Sequence, residues 1–231
     1  MFGHKYYHGA LRKYIIMFGN MFNDVKVDRF DTNGEVQQTL AVPISYGPRQ
    51  RFIARLDADP NLDREVSITL PRLGFEFTSM NYAPDRKLNS MNRIIAESKI
   101  DGKYPNVFQP VPYDLNFSLY IMVKNAEDGT QILEQILPFF TPDFSVTMNV
   151  LPEVGLKLDI PTVLQTVNSE DTYEGDFETR RVLTWQLDFV VKGYVFGPVR
   201  NNVDISKLDV NVYDESLDPI DKIFNVITPE S

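Results

Sequence analysis

The sequence contains no cysteine. Disulfides, thiolate zinc sites and cysteine nucleophiles are thereby excluded. Nothing in the fold calls for an oxidising compartment. Histidine is almost as scarce, with only His4 and His8, so a Ser–His–Asp triad would have to draw on one of these two. No apolar run reaches the ~18 residues of a membrane span. The opening residues, MFGHKYYHGALRKY, lack a signal-peptide apolar stretch and cleavage site. These absences predict a soluble protein made in a cytoplasm, with no membrane partner.

Positive charge is also in short supply. Lys and Arg number 23 against 32 Asp and Glu, a formal net charge of −9. No dense Lys/Arg run is present; the nearest to one is RQR, Arg49 to Arg51. A non-specific nucleic-acid binder would carry a basic patch and a basic balance, and neither is present. What the chain does have is apolar material. It is 43% hydrophobic and 12% aromatic over 231 residues, enough to fill a sizeable core.

Motifs that resemble chemistry fail on inspection. His4 and His8 have the i, i+4 spacing of two metal ligands, but no third ligand stands nearby. Asp57, Asp59, Asn61 and Asp63 have EF-hand spacing. Leu62 then occupies the glycine position and Ile68 the position of the bidentate glutamate, so the segment reads as a solvated acidic turn. SEDTYEGD groups Glu170, Asp171, Glu174 and Asp176 in what reads as a loop, with no apolar wall to raise a carboxyl pKa. There is no phosphate-binding glycine loop and no nucleophile elbow. The sequence predicts a non-enzymatic scaffold with no catalytic residue, cofactor or metal.

Periodicity predicts an α+β fold with a mainly antiparallel sheet and two packed helices. The first helix covers Gly9 to Phe22, with Leu11, Tyr14, Ile15, Phe18 and Phe22 in one stripe. Ile16 and Met17 point away from that stripe, so the helix is buried on several sides, in deep core or at a subunit interface. A hairpin follows, Val25 to Phe30 and Val36 to Ser45, turning at Asn33-Gly34, with Pro43 marking a sheet edge. GPRQRFIARL reads as one short helix. Arg64 to Tyr82 reads as a long strand interrupted by Pro71 and Gly74, and 83–110 is the least regular region.

VPYDLNFSLYIMV alternates as a half-buried strand, and AEDGTQILEQIL reads as a helix with Ile132, Leu133, Ile136 and Leu137 on its apolar face. Pro138 must end it. FSVTMNV, LKLDI, TVLQTVN and RRVLTWQLDFVVKGYVF follow as strands. Residues 1–199 form a single domain on this reading. Residues 200–231 form an acidic arm in which three basic residues stand against seven acidic ones, nearly half the net charge. Within the arm KLDVNVYD has the pattern of a strand, and Asp204, Asp209 and Asp214 are candidates to meet a partner surface.

The segments MFGHKYYHGALRKYIIMFGNMF, VPISYGPRQRF, LPRLGFEFTSMNYAPDRKLN, QPVPYDLNFSLYIMVKN, EQILPFFTPDFSVTMN and RRVLTWQLDF carry a resemblance. Together they resemble the proximal tail sheath stabilisers, or tail terminator (tail completion) proteins, of T-even-like contractile phages. The resemblance runs in order from Met1 to about Pro198 and finds no match beyond. It implies a tail-terminator-like fold that assembles as a homohexameric ring at the head-proximal end of the virion tail. Such a ring ends the tail tube, stabilises the last sheath layer and meets the neck or connector proteins. DNA passes through its lumen without specific binding. The net charge of −9 agrees with a lumen that does not grip phosphate.

Ring subunits need extra apolar faces and sheet edges. The candidate interface residues are therefore Ile16, Met17, Arg49, Arg51, Phe139 and Phe140, with the three arm aspartates. Phe139, Phe140 and Phe144 either plug the sheet–helix seam or cover a neighbouring subunit, and the burial habit of phenylalanine favours the seam. The alternatives are another neck or tail adaptor ring, a β-rich binding module without assembly, and an enzyme with a carboxylate metal site. Self-assembly separates the two rings from the binding module. Thermal stabilisation by a divalent metal is the mark of the enzyme.

Overall fold

A computed structural model describes residues 5–31, 34–52, 70–96, 104–141, 143–172 and 182–202. The backbone is α+β. A six-stranded sheet has the order β3 (Ile44–Tyr46), β4 (Arg72–Tyr82), β7 (Val111–Val123), β10 (Val182–Val195), β9 (Leu156–Thr172), β8 (Asp143–Leu151). All its pairs are antiparallel except β3 with β4. A hairpin of β1 (Lys26–Phe30) and β2 (Val36–Ala41) stands apart from it, as does a small sheet of β11 (Arg200–Asn202), β6 (Tyr104–Phe108) and β5 (Arg93–Ile95).

The core lies on one face of the large sheet because the strand registers align their alternate residues. Leu73 pairs with Ile121 and Phe75 with Leu119. Leu187 opposes Leu119 and Phe189 opposes Phe117. Helix α1 (Ala10–Met21) lays Tyr14, Met17 and Phe18 on this face. Phe18 stacks on Phe117 with ring centroids 4.5 Å apart and also meets the rings of Phe22, Phe75 and Phe189. The buried stripe is rotated from the predicted one, since Leu11 is exposed and Met17 is buried. Helix α2 (Ala126–Ile136) packs beside it through Ile132 and Ile136. Gly129 is required there: a Cβ would stand 2.0 Å from the Trp185 ring.

Several expectations are corrected. The second hairpin strand does not run to Ser45. Pro43 cannot donate to a ladder, so β2 stops at Ala41 and the chain resumes as β3 in the large sheet. LKLDI and TVLQTVN are one strand, β9, continuous through Pro161, whose partner on β8 is Ser145. Pairing of β9 with β10 ends at Thr162, so the proline sits outside that ladder. Glu170 belongs to this strand and not to a loop. β7 is buried on both sides from Phe117 to Val123 instead of half-buried, because it is flanked by β4 and β10 and covered on both faces.

The irregular region holds β5 and β6, too short to show a period. With Phe196 and Val199 they close a second cluster over Val150, Leu151 and Val154 at the β8–β9 turn. The helix expected in GPRQRFIARL is present over residues 49–52, and its remainder lies outside the described residues, as do His4, Asn33 and the EF-hand-like 57–68.

Candidate interaction surface

The helix-covered face ends in an open trough. Pro138 stops α2, and a 3-10 turn carries Leu137 to Phe139. The adjacent phenylalanines then part. Phe140 turns inward against Phe189, Phe144 and Phe22, with centroids 5.0, 6.0 and 6.3 Å away. Phe139 turns out and is 63% exposed, touching only the edge of Phe144 among aromatic rings in the described residues. Together with Met21, Phe22 and Val25 they line a cleft of about 610 Å³. A second hollow of about 570 Å³ runs on between α1 and β8, lined by Ile16, Met17, Val146 and Met148. The two share Met21 and Phe144.

Four predicted interface residues therefore converge. Ile16 is 51% exposed at the rim, Met17 is buried beneath it, and Phe139 and Phe140 stand at the far end. Arg49 and Arg51 lie elsewhere. Arg49 donates to Glu170 of β9 and pulls that carboxyl below its usual range, while Arg51 is exposed. Asp204, Asp209 and Asp214 lie outside the described residues. Sequence reasoning passed over Val146 and Met148, although the alternation in FSVTMNV marks them.

Side chains close the other long strand edge of the helix side. On α2, Gln131 accepts the Asp28 N–H (3.0 Å) and donates to its carbonyl (3.1 Å). One turn later Gln135 does the same to Lys26, at 3.3 and 2.6 Å. These i, i+4 amides act as a surrogate strand along β1. Arg29 adds an ion pair to Asp128 at 2.8 Å. Burial still leaves the Asp128 carboxyl above its ordinary pKa, with Arg29 opposing.

Tyr14 performs a similar closure on β10, beyond its pairing with β9. Its hydroxyl donates to the Tyr194 carbonyl (2.9 Å) and accepts the Tyr194 N–H (2.8 Å). Burial pushes this phenol above its usual pKa.

The opposite face of the sheet is polar. Asp188 accepts from Ser118 (2.7 Å), Gln186 (3.0 Å) and Thr166 (3.0 Å), and Tyr120 donates to Glu76 at 2.5 Å. Burial first, and then that bond, push the Tyr120 phenol far above its ordinary value. Phe52 covers the end of this face. It packs on Tyr120 and Met122 where Gly74 leaves room; a Cβ on Gly74 would lie 2.7 Å from its ring. Hydrogen bonds satisfy this carboxylate network from within the sheet.

His8 bonds the Gly197 carbonyl at 2.8 Å. Among the described residues no three His, Asp or Glu are grouped to hold a metal ion, and no helix is long and apolar enough to cross a membrane. The family model for the T4-like virus Myoviridae tail sheath stabiliser matches residues 5–229.

The chain belongs to that family. The match overturns the expected end of the resemblance near Pro198, because it carries on to residue 229. The chain is also 28% identical over 206 residues to tail completion protein gp15 of Enterobacteria phage T4, covering 86% of this chain and 74% of that one. This member of the family is a structural protein of the phage tail.

Proposed function

We propose that this tail sheath stabiliser acts as a closed ring, six copies around, at the head-proximal end of a contractile tail. The ring ends the tube, holds the last sheath layer and offers its other surface to the neck proteins. Its work is done by contact, without catalysis or cofactor. Family membership across nearly the whole chain carries the reading. The open apolar trough supports it, since exposed apolar surface rimmed by polar residues marks a protein contact. An acidic chain suits a ring through which DNA passes without being held.

Solution mass tests the proposal. Light scattering across concentration and salt should show a species near six times 26.6 kDa, ~160 kDa, as a closed homo-oligomer requires. Where the protein alone stays monomeric, adding it to purified tails that lack their cap should yield head-proximal rings by electron microscopy. Absence of rings under both conditions overturns the reading.

A further inference from the structure

We propose that β8 receives residues 207–213 of a second copy of this chain, laid along its outer edge as a seventh strand. The donor's being another copy rests on the ring reading above. The acceptor edge and the matching strand pattern do not.

β8 is the outermost strand of the large sheet and runs for nine residues. An edge of that length presents a row of unpaired N–H and C=O groups, which proteins otherwise cover, shorten or charge. Here the other edges are managed. Gln131 and Gln135 cover β1, and Tyr14 covers the end of β10. β3, β5 and β11 are three residues each. β2 carries polar Gln37, Gln38 and Thr39. Lys13 caps the Val150 carbonyl at one end of β8 (2.8 Å). Among the described residues no strand covers the rest, and β8 alone joins a long open edge to an apolar trough. Phe144, Val146 and Met148 are half-buried and line the trough, while Ser145, Thr147 and Asn149 alternate with them as exposed residues. Thr147 and Asn149 also border the hollow, and the Thr147 hydroxyl donates to Asp159 of β9.

The occupant is written in the same chain. Twenty-nine residues follow Asn202. Within them Leu208, Val210 and Val212 alternate with Asp209, Asn211 and Tyr213. A strand of this pattern presents one apolar row and one polar row. Beside β8 the apolar row would continue that of Phe144, Val146 and Met148 and fill the hollow below Ile16 and Met21. The polar row would continue the solvent side. Seven residues span ~23 Å, within the ~30 Å of a nine-residue strand. Main-chain hydrogen bonds supply affinity and the alternate side chains supply register, as in other strand-addition interfaces. Passing the segment to a neighbour is a heterologous contact, which propagates around a ring.

The absence of native cysteine makes the test clean. In the full chain, Thr147→Cys is combined in turn with Leu208→Cys, Asp209→Cys, Val210→Cys, Asn211→Cys, Val212→Cys and Tyr213→Cys, and each pair is oxidised. Only cross-strand neighbours on the same face come within disulfide reach. Links should form with one or more of positions 209, 211 and 213, and stay at the level of a Gln37→Cys control with 208, 210 and 212. The products should run at dimer mass or above on non-reducing gels. Mixing the Thr147→Cys single variant with an arm single variant should give a mixed dimer.

Links without this alternation, no links above control, or links confined to single chains overturn the proposal. The last outcome would assign β8 to the chain's own arm. Light scattering of the unmodified protein keeps the two readings apart. A ~160 kDa species without the cross-links leaves the ring standing and removes the strand exchange.

Discussion

Two strand edges on the helix side of this protein are built oppositely. The edge of β1 is met by Gln131 and Gln135, whose amides take both backbone groups of Asp28 and of Lys26. The edge of β8 is met by no strand among the described residues; beside it lies an apolar hollow floored by Met17 and Phe140 and rimmed by Ile16 and Phe139. The first arrangement makes the hairpin part of the fold. The second leaves hydrogen-bonding capacity and apolar surface together on the outside. An edge is a hazard only where the chain has not provided for it, and the care taken at β1 and β10 makes the opening at β8 informative.

The contrast can be broken most forcefully at the floor of the trough. Phe140→Ser should cost about 3 kcal/mol in chemical denaturation, because it removes a half-buried ring packed on Phe22 and Phe189. Its neighbour Phe139→Ser should change stability by less than about 0.5 kcal/mol, as an exposed substitution does, and weaken oligomer formation instead. Equal loss of stability in both would mean that floor and rim are not distinct.

Opening a covered edge should cost less. Tyr14→Phe strands the N–H and carbonyl of Tyr194, a loss of about 2 kcal/mol. It should also change the alkaline response. The folded state holds the Tyr14 proton more tightly than an unfolded chain, whose tyrosines ionise near pH 10. Stability from this source is present below about pH 10 and falls as pH rises toward the folded pKa. The variant should therefore show a flatter alkaline limb in thermal melts than the parent.

Of the two covered edges, the smaller effect is expected at β1. The double variant Gln131→Ala, Gln135→Ala should lose about 1 kcal/mol, since its hydrogen bonds are partly solvated. Hydrogen exchange should locate the change in the β1–β2 hairpin. Faster exchange spread through β7 and β10 instead would show that the glutamines serve the core and not the edge.

Much of the architecture was legible because long elements carry a clear period. The alternation from Tyr113 to Ile121 and from Leu183 to Val191 announced β7 and β10, and the i, i+3, i+4 pattern of Ile132, Leu133 and Ile136 announced α2. Short strands such as Arg93–Ile95 were illegible, because three residues hold no period. β9 looked broken because a proline inside a strand usually ends it. Only the register shows that Pro161 sits outside the β10 ladder. Of the trough, Ile16, Met17, Phe139 and Phe140 could be singled out as excess apolar residues near element boundaries. Their convergence on β8 could not.

By itself the sequence determined chemistry and class. Without cysteine and with two histidines it ruled out thiol chemistry and left little for imidazole, and its periodicities required strands with two helices upon them. Pro138 dictated where α2 must stop, because proline has no N–H to donate and crowds the preceding turn. The tertiary structure alone decided that Phe139 faces out while Phe140 faces in, that Glu170 meets Arg49, and that β8 is an edge. Such facts depend on which strands become neighbours across long stretches of chain, and a local pattern records the faces of an element but not its neighbours.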